Sequence, residues 1–239
     1  MRHRGLEGVV ATPRPHSLDL LGAYRYWTSD GDVRIPASAC AVVAFVALQP
    51  GPVHRSIVAG TLWPDVGDDR AHGNLRSVLW RAKTSVPGLL CCDDGTVSIA
   101  PDVDVDYRAE ADWSRRVIHG DATDADLDRH LSPHALELLP GMYDDWIVFE
   151  RERFNQRWLH AAELVAIELA RRGRHAEALD CALAVVASDP LRESAQRIAI
   201  ECHVIEKNVV EARRRQDAYV RLLRTELGLD PSPDFMALA

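Results

Sequence analysis

DVGDDRAHGNLRSVLWRAKTSVP, residues 65–87, reads as one helix, and its two faces decide the fold. Ala71, Leu75, Val78, Leu79, Ala82 and Val86 recur at helical spacing. At about 100° per residue they cover one side of the helix. The other side carries Gly73, Arg76, Ser77, Trp80 and Thr84, flanked by Arg70, Asn74, Arg81 and Lys83. From residue 70 to 85 there are four arginines and lysines and no acid, within a chain of net charge −8. A cationic stripe on an acidic chain implies a local anionic partner.

The wider composition narrows the choice. With 239 residues, 47% hydrophobic and 27% charged, the chain can bury one or two ordinary cores. No apolar run approaches the roughly 20 residues of a membrane helix, so no membrane partner is expected. The first 16 residues lack an apolar stretch of secretory-signal length, which makes cytoplasmic retention the expectation. The five cysteines form no C-x-x-C pair and are odd in number, against a disulfide framework or a zinc ribbon. The adjacent Cys91 and Cys92 read as small apolar residues of a strand. Residues 1–106 hold 10 basic and 12 acidic side chains, and residues 107–239 hold 18 and 24. The acidic second half argues against a chain that coats nucleic acid along its whole length.

Working outward from the basic helix, residues 1–16 read as a flexible tail. Residues 17–21, 24–27 and 33–35 read as short antiparallel strands around the Ser29-Asp30-Gly31-Asp32 turn. Ser38 is placed to cap an almost wholly apolar helix over residues 39–48, broken by Pro50-Gly51-Pro52. A second helix covers residues 56–62, and the basic helix is third. A hairpin follows, residues 89–92 and 97–99 around Asp93-Asp94-Gly95. Strands, three helices and a hairpin are the layout of a winged helix-turn-helix. There the third helix enters the major groove and the wing leans on the backbone.

The first hundred residues also resemble a known family. Leu62-Trp63-Pro64-Asp65 and the N-L-R-x-x-L-x-R pattern from Asn74 to Arg81 are similar to the OmpR-type winged helix of SARP regulators. These are transcriptional activators of secondary-metabolite pathways. Ala82, Lys83 and Trp80 depart from the usual residues of that pattern, and His54 stands where a serine often caps helix two.

Beyond residue 106, the spacing predicts a helix over residues 108–117, a loop over 120–124 and helix over 127–139, restarting at Ser132-Pro133. One long amphipathic helix spans 145–171 and ends at Gly173. Residues 174–178, RHAEA, are then echoed by residues 208–212, NVVEA, at an offset of 34. That is the tetratricopeptide period, in which helix pairs must stack to bury their faces. LLPGMYDDWIVFERERF (138–154) and LGLDPSP (227–233) resemble the bacterial transcriptional activation domain of the same family. The expected architecture is therefore α+β followed by all-α. Residues 17–106 form an OmpR-type winged helix and residues 107–239 a TPR-like activation domain. No G-x-x-x-x-G-K-[ST] motif follows, so the ATPase module of longer relatives is not expected.

Each candidate residue carries a stated role. Arg76, near the centre of the outward face, suits bidentate readout of guanine, with Ser77 also toward the bases. Arg70, Arg81 and Lys83 suit phosphates, with Thr84 beside them on the outward face. Asn74 either bonds within the first helical turn or meets phosphate through the helix N-terminus. Trp80 either touches a thymine methyl or lies under the wing, and the usual burial of aromatics favours the wing. Arg55, opening helix two, is a candidate phosphate clamp. Ten histidines without ligand spacing and no nucleophile–base arrangement lead to an expectation of no metal, no cofactor and no enzyme activity. The resemblance implies double-stranded promoter DNA with direct repeats, RNA polymerase subunits and a second copy of the chain as partners. The alternative is a helical-repeat adaptor whose winged helix no longer binds DNA.

Overall fold

The computed structural model describes residues 16–131 and 137–238. The tail up to residue 15 and the helix restart expected at Ser132-Pro133 lie outside the described residues. Two compact units are present. One runs to Arg108 and takes back Leu139–Met142; the other holds Ala109–Leu138 and the chain from Tyr143. The return segment is tied in by Leu139, whose N–H donates to the Leu20 carbonyl at 2.7 Å.

In the first unit, β1 (His16–Asp19), β2 (Arg25–Thr28) and β3 (Gly31–Val33) form an antiparallel meander, with Leu18 opposite Tyr26 and Trp27 opposite Asp32. Helix α1 (Ala37–Ala47) starts one turn-residue before Ser38, behind Pro36, and has no side-chain cap. The expected Ser38 cap is therefore absent: Pro36, with φ fixed at −57°, already sets the chain's entry into the helix. Residues 42–47 are all buried, because this part of α1 packs against both following helices and the wing. The Arg108 guanidinium closes its C-terminal end, donating to the carbonyls of Ala47 at 3.1 Å and Gln49 at 3.2 Å.

The remainder of this unit is β4 (Val53–His54), α2 (Arg55–Leu62), α3 (Asp68–Ser85), β5 (Leu90–Cys91), β6 (Thr96–Ile99) and β7 (Val103–Val105). The wing is three-stranded, in the order β4-β6-β5. Two-residue β4 leaves no periodicity in the sequence; only its pairing of Val53 with Val97 and His54 with Thr96 defines it. β7 runs parallel to β1, which makes the order of the N-terminal sheet β3-β2-β1-β7. Asp106 locks that seam: its carboxylate accepts the backbone N–H groups of Leu20 at 2.8 Å, Leu21 at 3.0 Å and Tyr107 at 2.6 Å.

Helix α4 (Asp106–His119) leads into the second unit. The loop read over residues 120–124 runs to Thr123, which starts a short helix α5 (Asp124–Leu127) through a reciprocal capping box with Asp126. Where the sequence reads helix over 127–139, residues 128–131 and 137–139 are not helical. Asp126 also accepts both Arg116 donors, at 2.6 and 3.1 Å. Then come α6 (Asp145–Arg171), α7 (His175–Ser188), α8 (Glu193–Ile205) and α9 (Val209–Leu227), packed in sequence order. Helix α6 has the bounds its periodicity predicts, and Gly173, at φ +76°, supplies the left-handed residue that ends it. The 34-residue echo sets Ala178 and Ala212 at equivalent places, both fully buried. Alanines 161, 162, 166, 178, 182, 195 and 199 have no exposed surface, and side chains this small let neighbouring helices approach closely.

A final turn, α10 (Pro233–Met236), follows the end of α9, where the sequence pattern marks only a helix stop. It seats a fully buried Phe235 against Tyr219, with ring centroids 4.8 Å apart. Ser232 both caps this turn and donates to Glu193. Among the described residues, no helix is long and apolar enough to cross a membrane.

Candidate nucleic-acid interface

Helix α3 is two-faced in space as in sequence. Ala71, Leu75, Val78, Leu79, Ala82 and Val86 are all at most 5% exposed. Arg70, Arg76, Ser77, Trp80, Arg81, Lys83 and Thr84 are exposed, while Asn74 and Arg55 are intermediate. Burying the apolar side commits the helix to one rotational setting, so the cationic side must face solvent.

The polar residues of this face are already partly organised. Ser77 donates its hydroxyl to the Gly73 carbonyl at 3.0 Å, and Thr84 to the Trp80 carbonyl at 2.9 Å. With their protons directed into the helix, both hydroxyls present outward lone pairs, which suit base amino groups better than phosphates. Arg81 is held at two points, Nε on the Ser77 carbonyl at 3.2 Å and Nη1 on Ser38 Oγ at 3.3 Å. The Arg76 guanidinium lies near Gly73, where a Cβ would come within 3.8 Å of Nη2. No sequence pattern identifies Ser38 as a member of this face, because it lies 43 residues from Arg81.

Three expectations change. Trp80 is 69% exposed, so the wing does not cover it. Asn74 is six residues past the start of α3, in its second turn, so it has no part in a helix N-terminus. That first turn holds Asp68 and Asp69, which complement the helix dipole and would oppose a phosphate there. The wing tip does not supply cations for a backbone: exposed Asp93 and Asp94 form it, and Gly95 accepts the Arg55 N–H at 2.9 Å. Arg55 is thereby fixed beside the tip, and its buried Nε has no hydrogen-bond partner among the described residues. Among the described residues, no group of His, Cys, Asp or Glu could hold a metal ion.

The chain thus joins a winged helix with a basic third helix to a stacked helical array. Residues 125–239 match the family model of the bacterial transcriptional activator domain. No curated protein matches the chain. Among solved structures, Mycobacterium tuberculosis EmbR, determined in complex with a low-affinity phosphopeptide, is similar at a TM-score of 0.63 and 18% identity. The similarity covers 95% of this chain but 64% of the EmbR chain, so this chain spans under two thirds of that relative's length.

Proposed function

We propose that the chain is a transcriptional activator that binds promoter DNA through α3. The observation that carries this reading is the exposed Arg76–Trp80–Arg81–Lys83 face on a helix whose other side is wholly buried. Arg76 reads a base edge, with Ser77 accepting from a neighbouring base amino group. Arg70, Arg81, Lys83 and Arg55 neutralise phosphates, Thr84 lies beside them, and Trp80 lies against a thymine methyl or a deoxyribose. Asn74, half-buried on the flank of the helix, meets the backbone at one rim of the groove. Seated on Ser38 of α1, Arg81 is a position-setting contact.

The activation domain is taken to contact RNA polymerase, and two copies to bind direct repeats upstream of a biosynthetic operon in the cytoplasm. Resemblance to SARP regulators supports these parts. A mobility-shift titration of the whole chain on DNA upstream of its neighbouring operon tests the reading. Arg76→Ala should weaken binding by about 1–3 kcal/mol and relax preference at one base pair. Equal affinity and selectivity in that variant would remove Arg76 from the readout.

The acidic wing tip favours a second reading, an adaptor that has lost DNA binding. The two separate on salt dependence. A DNA binder that neutralises four or so phosphates loses affinity with a log–log slope near −4, at about −0.9 per phosphate. An adaptor shows no such slope.

A further inference from the structure

The second unit contains a groove of about 320 Å³ between α8 and α9 that the DNA-binding reading does not use. Gln196 and His203 line it from α8, two turns apart; Arg214, Arg215, Tyr219 and Leu222 line it from α9. The three-residue connection 206–208 makes the two helices neighbours and keeps the groove within one hairpin.

The charges in the groove are unevenly matched. Arg214 is paired with Glu211 at 2.8 Å and is largely exposed. Arg215 is half-buried, and its partner is the Gln196 amide oxygen at 3.2 Å; among the described residues it forms no ion pair. Gln196 is itself 5% exposed and fixed in place, since its amide nitrogen donates to the Pro190 carbonyl at 3.1 Å. The remaining Arg215 donors therefore have a defined direction, while Glu211, which also lines the groove, pairs with Arg214 and acts on Arg215 only through space. Burial pulls the Arg215 pKa down, as expected of a cation with incomplete compensation. On the facing helix, the buried Nδ1 of His203 has no hydrogen-bond partner among the described residues. Two arginines against one glutamate leave a single positive charge.

The rest of the lining is apolar. The Tyr219 hydroxyl is taken up by the Leu191 carbonyl at 3.1 Å, so its ring lines the groove beside Leu222 and Ala218. A net single positive charge suits a monoanion better than a phosphate dianion. The planar guanidinium fork fits a carboxylate. At about 30 Å³ per water, the volume accommodates about ten non-hydrogen atoms.

We infer that the groove between α8 and α9 is a binding site for a small organic monocarboxylate with an apolar body, held by Arg215 and His203 over Tyr219 and Leu222. This site makes the activation domain a receptor for a metabolite-sized acid, independently of whether α3 binds DNA.

The test is calorimetric titration of the whole chain with phenylacetate, an acid of that size, alongside neutral phenylacetamide and inorganic phosphate. Phenylacetate should bind saturably, with phenylacetamide and phosphate each weaker by about tenfold or more. Arg215→Gln should weaken phenylacetate by a similar factor, while Arg171→Gln, an exposed pair elsewhere, should leave it unchanged. If Arg215→Gln fails to fold, the three-ligand comparison on the native chain still decides the matter. The inference is overturned by no saturable phenylacetate binding, by equal binding of phenylacetamide, by phosphate binding as tightly as phenylacetate, or by unchanged affinity in a folded Arg215→Gln.

Discussion

Arg81 of α3 reaches Ser38 of α1, with Nη1 3.3 Å from Ser38 Oγ, while its Nε rests on the Ser77 carbonyl at 3.2 Å. One cation on the candidate reading face is thus held by a hydroxyl at the start of the supporting helix. The contact is exposed, so it adds little to stability, but it restricts a long side chain before any partner arrives.

Removing that seat should cost affinity and not folding. Ser38→Ala is expected to change stability by less than about 0.5 kcal/mol. It should weaken promoter binding by about two- to tenfold, the cost of immobilising one freed arginine. Thermal melts and fluorescence anisotropy on the same preparations check both halves. Unchanged affinity in Ser38→Ala, beside a loss in Arg81→Ala, would show that the seat is irrelevant.

Trp80 and Leu75 lie on opposite faces of α3 and should fail differently. Trp80 is 69% exposed, so Trp80→Ala should leave the melting temperature unchanged and reduce DNA affinity about tenfold. Leu75 is 1% exposed, and Leu75→Ala should cost about 2–5 kcal/mol of stability by denaturant titration. A large stability loss in Trp80→Ala would mean that the indole is packed after all.

The wing tip should repel DNA. Replacing both Asp93 and Asp94 by asparagine keeps the turn, since asparagine tolerates the φ of +27° at residue 94. Removing two negative charges should raise promoter affinity by about two- to fivefold at low salt, with the gain fading near 1 M as screening shortens to about 3 Å. No gain at low salt would place the tip away from the phosphates.

Asp106 should give the first unit an unusual pH dependence. Burial pushes its carboxyl up to about 6, against the downward pull of three backbone N–H donors. A folded pKa above the unfolded value of about 3.9 means the native state holds the proton more tightly. Its contribution is therefore fully present below about pH 4 and is lost as pH rises through 6. Urea titrations at pH 5 and 7.5 should show wild type gaining stability on acidification relative to Asp106→Asn. Parallel pH profiles for the two chains would contradict this.

Much of this was legible in the residues alone. The two faces of α3, the bounds of α6 and the 34-residue echo around Ala178 and Ala212 follow from periodicity within one helix or one repeat. There each residue's environment depends on neighbours three or four places away. Tertiary structure alone decided what depends on distant partners. β7 pairs with β1 across more than eighty residues, β4 exists only through its pairing with β6, and Arg81 finds Ser38. Phe235 anchors a last turn on Tyr219, and the wing leaves Trp80 in solvent. Hydrophobic spacing records which side of a helix must be hidden. What covers that side, and which exposed residues meet, depends on contacts that no local pattern encodes.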